Sequence, residues 1–279
     1  MQFAFSSNAF LRFPFAEAAR QIAAAGYRGI EIMADVPHAW PAYLLEVDKR
    51  ALRQAVDDHH LTISNINAFM MHAIDDPRQK YWYPSWIEPD PHYRRIRVEH
   101  TKKALTLAKE LGAQCITTEP GGPVLSGNTW RHALELFVQE LKPVIEYAER
   151  EEVRLLVEPE PGLLIENSDQ FEEFISHFDS PMLGLNFDIG HFFCVGEDPS
   201  TAYDRLKKYV GHVHIEDIAA SRVHHHLVPG DGAIDMKAIL RRISTSRYRG
   251  WVTVELYPDI DEPGRAATLA LERLKAVSS

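Results

Sequence analysis

Cysteine is scarce in this 279-residue chain. Cys115 and Cys194 are the whole complement, too few for a disulfide framework, which favours a reducing compartment. Long apolar runs are missing as well, and none approaches the roughly 20 residues that span a bilayer. Met1 to Ala9 shows no basic segment followed by an apolar one, so no secretory signal is read there. Positive charge is outnumbered: 30 Lys and Arg against 40 Asp and Glu leave a net charge of −10, which argues against a large nucleic-acid footprint. No Pro/Gly/Ser linker or low-complexity segment divides the chain. What is present is ordinary globular composition, 45% hydrophobic and 25% charged, in a chain long enough to bury its own core. The expectation is a cytoplasmic protein that handles a small molecule and binds neither nucleic acid nor membrane.

Short β-rich runs alternate with longer amphipathic ones. The runs are Gln2–Phe5, Gly29–Met33, Thr62–Ile66, Gln114–Thr118, Arg154–Val157, Leu183–Phe187, Gly211–Ile215 and Trp251–Leu256. Helical patterns fall between them over Phe15–Ala25, Tyr93–Leu111, Leu134–Glu149, Ser168–His177, Thr201–Lys208 and Met236–Ser244. Leu134, Phe137, Val138, Leu141, Ile145 and Ala148 form one stripe at helical spacing, and Gly26 and Gly112 stand where a helix should stop. Eight strands alternating with helices predict a parallel sheet closed into a (β/α)8 barrel, a single domain over residues 1–279. An open doubly wound sheet is the alternative. Against it, no Gly-x-Gly-x-x-Gly follows the first strand, where Phe5-Ser6-Ser7-Asn8-Ala9 offers no phosphate cradle. A long loop follows the third strand and carries Tyr81-Trp82-Tyr83-Pro84-Ser85-Trp86. Its aromatics suit either a lid or a plug over the barrel rim.

Barrel active sites are built at the C-terminal ends of the strands, and here those ends are rich in carboxylates and imidazoles. The fifth strand runs into Glu158, the sixth into Asp188 and His191, the seventh carries His212, His214, Glu216 and Asp217, and the eighth carries Glu255. Converging carboxylates would repel one another. A divalent cation resolves this, and a Glu/Asp/His/Glu set suits Mn²⁺, Mg²⁺, Co²⁺ or Zn²⁺.

Together Leu156-Val157-Glu158, Phe187-Asp188-Ile189-Gly190-His191, His212-Val213-His214-Ile215-Glu216-Asp217 and Val254-Glu255-Leu256 resemble the strand ends of the xylose isomerase-like TIM barrels. The likeness is clearest from about residue 150 to 257, with support from Gly26-Tyr27-Arg28-Gly29-Ile30-Glu31. That superfamily includes sugar-phosphate isomerases, ketose 3-epimerases, inosose-handling enzymes and the endonuclease IV type of apurinic-site nuclease. The resemblance implies that Glu158, Asp188, His214 and Glu255 hold one divalent ion. It also implies that Glu158 and Glu255 act as acid and base on opposite faces of a sugar, and that His191 contacts a substrate oxygen. The ketose 3-epimerases carry an arginine six residues after the metal-binding histidine; here that position is Ala220, with Arg222 displaced by two. The stretch Ala220–His226 is similar to the endonuclease IV segment that bears extra zinc ligands, although His224 stands where an Asp would be. Thr117-Thr118-Glu119-Pro120-Gly121 resembles that nuclease's fourth-strand mouth, with Glu119 in place of a His. These departures imply one metal rather than three. Glu119 and His226 are expected substrate contacts, and a second, weaker ion site on the same two residues stays open.

A cation between a carbonyl oxygen and an adjacent hydroxyl acidifies the C–H between them by stabilising an enediolate. Two carboxylates on opposite faces then allow epimerisation, isomerisation or, by β-elimination, dehydration. The expected function is a metal-dependent isomerase or epimerase of a sugar, sugar phosphate or keto-polyol. The alternatives are a metal-dependent hydrolase of the apurinic-site nuclease type and a non-catalytic sugar-binding barrel. Assembly as a homodimer or homotetramer is left open.

Overall fold

The eight β-rich runs are short and Val/Ile/Leu-rich, the composition of parallel strands covered by helices. In the computed structural model, which describes residues 1–78 and 80–278, they form one closed barrel in sequence order. The chain runs β1 (Gln2–Ser6), α1 (Phe15–Ala24), β2 (Gly29–Met33), α2 (Glu46–Asp58), β3 (Thr62–Asn67), α3 (Pro91–Leu111) and β4 (Cys115–Thr118). It continues through α4 (Trp130–Glu151), β5 (Arg154–Val157), α5 (Ser168–Ile175), β6 (Leu183–Asp188), α6 (Ile189–Cys194) and α7 (Pro199–Leu206). It ends with β7 (Val210–Ile215), α8 (Met236–Thr245), β8 (Trp251–Val254) and α9 (Pro263–Ser278). Neighbouring strands are parallel, and β8 closes on β1 with Phe3 opposite Val252 and Phe5 opposite Val254. The open-sheet alternative is thereby excluded. Among the described residues no helix is long and apolar enough to cross a membrane.

Alternation along each strand separates two environments. On β7, Val213 and Ile215 join the apolar layer under the helices, while His212 and His214 reach Glu31 of β2 across the lumen. The lumen is polar and largely paired: Asn65 of β3 donates to Glu31 and to Thr117 of β4, and Ser64 meets Thr253 of β8 at 3.2 Å. Buried polar groups need such partners, so the barrel interior is a hydrogen-bonded network rather than an oily core.

Side chains at the helix starts fix where the helices begin. Asp90 accepts from the His92 amide ahead of α3, Thr129 from His132 ahead of α4, and Asp198 from Thr201 ahead of α7. Gly112 ends α3 at φ +81°, as a left-handed C-terminal cap requires. The segment between β3 and α3 is held from α3 itself. The Arg97 guanidinium donates to the carbonyls of Ala68, Phe69, Trp82 and Pro84. Two aromatics of this segment part company: Trp86 is fully buried against Phe137 with its indole N–H on Thr118, whereas Tyr81 is half-buried at the barrel mouth. Trp86 is thus packing, while Tyr81 stands where a lid would act.

Candidate metal centre and active site

Asp188 closes β6 and opens α6, and its two oxygens do different things. Oδ1 accepts from the His191 amide as the helix cap, at 2.8 Å. Oδ2 is buried and has no hydrogen-bond partner among the described residues. It points into a group formed by Glu158, Asp188, His214 and Glu255, whose ligand atoms all lie within 4.8 Å of one another. His214 Nδ1 stands 2.9 Å from Glu158, 3.6 Å from Glu255 and 3.9 Å from Asp188. Donors about 2.1 Å from a shared ion stand at most ~4.2 Å apart, so these three separations fit one ion.

Three of the members are aimed by neighbours, Asp188 by the His191 amide already described. His214 Nε2 meets Glu31 at 2.7 Å, the carboxylate–histidine pairing that orients a metal ligand. Glu255 Oε1 accepts from Asn8 at 2.8 Å and from Asn67 at 3.1 Å, so its other oxygen is left for the cluster. Glu216 sits behind Asp188; its Oε1 accepts from the Gly190 amide at 2.7 Å and its Oε2 is unpartnered. A methyl group at Gly190 would collide with Glu216 Oε1, so only glycine lets the carboxylate come this close.

Burial pushes the Glu158 and Glu255 carboxyls above the ordinary carboxylate range, Glu255 strongly, and neighbouring carboxylates add to it while His214 opposes. Burial does the same to Glu216 and Glu160. Glu31 goes the other way: burial alone would raise it, but His214 and His212 hold it down at about 2. His214 is raised for the reciprocal reason, with Glu31, Glu158 and Glu255 overcoming its burial. Buried carboxylates in this number, two unpartnered oxygens and a hard-and-borderline donor set are what a divalent cation satisfies. The residues fit the group.

Beside the cluster lie three imidazoles. His191 Nδ1 donates to the Pro159 carbonyl at 2.8 Å, leaving Nε2 bare, 3.2 Å from Glu160. His226 Nδ1 donates to the Glu255 carbonyl at 2.9 Å, and its Nε2 faces that of His224 at 3.1 Å. Burial lowers all three, His191 and His224 to about 3, so they are neutral at pH 7. The loop that carries His224 and His226 is pinned by Asp217, which accepts from the amides of Ile218, Gly230 and Ile234.

The structure brings Glu158, Asp188, His191, His214, His226 and Glu255 together, and it does not bring Glu119. That carboxylate is fully buried, accepts from the amides of Trp86 and Gly121, and lies 4.0 Å from Arg97. One oxygen is held by the loop after β3 and the other by the turn after β4, so the expected substrate contact of Glu119, and an ion site shared with His226, are corrected. Several residues that position alone does not single out do reach the site. Glu160, Tyr81, Tyr257 and His224 line the cavity together with Glu158, His191 and Glu255. For Glu160 and Tyr257 the signal in the sequence is spacing, each two residues beyond a strand-end glutamate. The free space is about 20 Å³, room for one water, and the rings of Tyr81 and Tyr257 stand 6.4 Å apart across it.

Comparison with known proteins places this geometry in context. The family described as xylose isomerase-like TIM barrel matches residues 19–277. An inosose dehydratase of Clostridium beijerinckii is 24% identical over 276 residues, covering 88% of this chain and 83% of the relative. A fructoselysine 3-epimerase of Escherichia coli O157:H7 is 27% identical over 274 residues, covering 95% and 94%. Among solved structures, a D-tagatose 3-epimerase-like protein superposes with a TM-score of 0.83 at 23% identity, covering 99% of this chain and 97% of its own.

Proposed function

The chain belongs to the xylose isomerase-like TIM barrel family, and from that premise we propose that it is a metal-dependent epimerase or isomerase of a sugar or keto-polyol, working by proton transfer next to a carbonyl. The observation that carries this is the convergence of Glu158, Asp188, His214 and Glu255 on one point at the C-terminal mouth of the barrel. A divalent ion held by these four would supply the positive charge that acidifies a C–H beside a bound carbonyl. The remaining work falls to the chain. Glu158 and Glu255 enter from β5 and β8, which places them to take a proton at one face and return it at the other. His191, neutral and buried with its Nε2 free of a hydrogen bond, is placed to hydrogen-bond a substrate hydroxyl, whereas His226 would reach substrate only by giving up its contact with His224. Tyr81 and Tyr257 exclude water from the reacting carbon.

A second reading, dehydration, has its own observation. Glu160 is buried 3.2 Å from His191 and within 3.4 Å of the Tyr81 hydroxyl, and burial keeps it protonated well above the usual carboxylate range. Such an acid can protonate a leaving hydroxyl, and the inosose dehydratases among the relatives are named for that type of reaction. One experiment separates the readings. The Mn²⁺-loaded protein is incubated in D₂O with a panel of ketoses and inososes and followed by NMR and mass spectrometry. Deuterium beside the carbonyl with no loss of water supports epimerisation or isomerisation, and a product lacking one water supports dehydration. A panel with neither outcome, from protein shown to hold its metal, refutes both.

A further inference from the structure

At the opposite end of the barrel, the N-terminal ends of β5, β7 and β8 surround a cavity of about 840 Å³. Five cations line it, Arg154, Lys207, Lys208, Arg247 and Arg249, and no lining residue is acidic. The chain as a whole has ten more acids than bases, so this concentration of positive charge runs against the composition. Like charges gathered in a concavity focus the field and attract an anion.

Arg154 makes the floor. It is the first residue of β5, and its guanidinium lies over Gly184 of β6 and Gly211 of β7, where any Cβ would collide with Nη2 and Nη1. Two glycines thus clear a seat for one cation. It donates one long hydrogen bond, 3.4 Å to the Tyr209 carbonyl, and its buried Nε has no partner among the described residues. A part-buried guanidinium without a carboxylate is costly unless something else answers its charge. The rim is firmer than a loose surface loop. Arg249 Nη1 is fixed by the carbonyls of Ser246 and Tyr248, while the Tyr248 hydroxyl donates to the Trp251 carbonyl at 2.6 Å. Lys207 has a carboxylate beside it, Asp204 at 3.2 Å.

We propose that this cavity binds a small phosphorylated ligand, at a site separate from the strand-end carboxylates and independent of their chemistry. Guanidinium forks pair with phosphoryl oxygens two at a time, and five cations exceed what one monoanion would neutralise. A small ligand is favoured over nucleic acid or membrane because the positive surface lines a hollow on a protein of net charge −10.

The test is calorimetric titration of the metal-loaded protein with inorganic pyrophosphate at low ionic strength. Expected is sub-millimolar binding that weakens about tenfold or more in Arg247→Glu/Arg249→Glu and in Arg154→Gln, weakens with added salt, and persists in His214→Ala. The Arg247 and Arg249 side chains are exposed, so that double variant decides the matter should Arg154→Gln fail to fold. Absence of binding at millimolar pyrophosphate overturns the proposal. So does binding that survives the charge reversal, or binding lost in His214→Ala, which would move the ligand to the metal centre. Retention of tRNA or phosphatidylserine vesicles without pyrophosphate binding overturns it in favour of a macromolecular surface.

Discussion

His214 is gripped from two sides, by Glu31 at Nε2 and by the acidic cluster at Nδ1. The residues around it divide by what their removal should cost. Glu158→Gln or Glu255→Gln keeps the size and one ligand oxygen but takes away the proton acceptor. Each should retain part of its metal while turnover falls by ~10²-fold or more, measured as kcat on a substrate found in the D₂O panel. The two should differ further, because the variant at the abstracting residue loses solvent exchange while that at the donating residue can keep some. Near-normal turnover in both would remove the acid–base assignment.

His100 offers a residue-scale test away from the site. It is buried, stacked on Trp40 at 4.5 Å between ring centroids, and burial with Arg97 nearby lowers it to about 3 from the ordinary 6.5. Its folded value lies below its unfolded one, so the unfolded chain takes up the extra proton between them. The stability is fully present above pH 6.5 and is lost as the pH falls towards 3, about 2 kcal/mol of it by pH 5. His100→Phe keeps the stack and removes the proton. Urea midpoints for the variant should fall less between pH 7 and pH 5 than those of the parent, and equal falls would contradict the assignment.

At the scale of elements, the segment between β3 and α3 is tied most heavily by one side chain. Arg97 satisfies four loop carbonyls and faces Glu119. Arg97→Ala leaves them unanswered together with a buried carboxylate, a loss of about 3–5 kcal/mol. Arg97→Lys should recover little, since an ammonium cannot span four acceptors in a plane; urea denaturation reads both. Tyr81, at the mouth of the same segment, tests the lid. The roughly 20 Å³ left beneath it cannot admit a sugar, so the pair Tyr81–Tyr257 must part for substrate to enter. Tyr81→Ala should raise KM severalfold with metal content unchanged, and an unchanged KM would assign the whole segment to packing.

These loops are also where the sequence was least legible. Strand ends delivered Glu158, Asp188, His214 and Glu255 because each closes an apolar run, and strand alternation settles which way such a residue faces. Glu119 also follows a strand, yet the Trp86 and Gly121 amides capture it, and a contact 33 residues away in sequence leaves no local trace. The same holds for Trp86, which a run of aromatics cannot distinguish from Tyr81. Among helices, α2 escapes notice because only Leu52, Ala55 and Val56 are buried in it, too thin a stripe to stand out from a polar background.

For the whole molecule, the alternation of strand and helix indicated a parallel sheet and the count of eight pointed to closure, which the barrel bears out and which leaves no edge to cover. Closure then points alternate residues of facing strands at one another, which brings Glu31 to His214 over 183 residues of sequence. The apolar layer under the helices carries the fold, while the lumen and its mouth hold buried acids that protein donors alone do not satisfy. The most direct test is metal stoichiometry by elemental analysis of the protein, its His214→Ala variant and its Asp188→Ala variant, each purified after growth with Mn²⁺ or Zn²⁺. One ion per chain in the parent, with loss in both variants that remain folded by circular dichroism, is the expected result. A parent that binds no ion, or variants that keep the parent's full metal content, would contradict a metal centre at the mouth of this barrel.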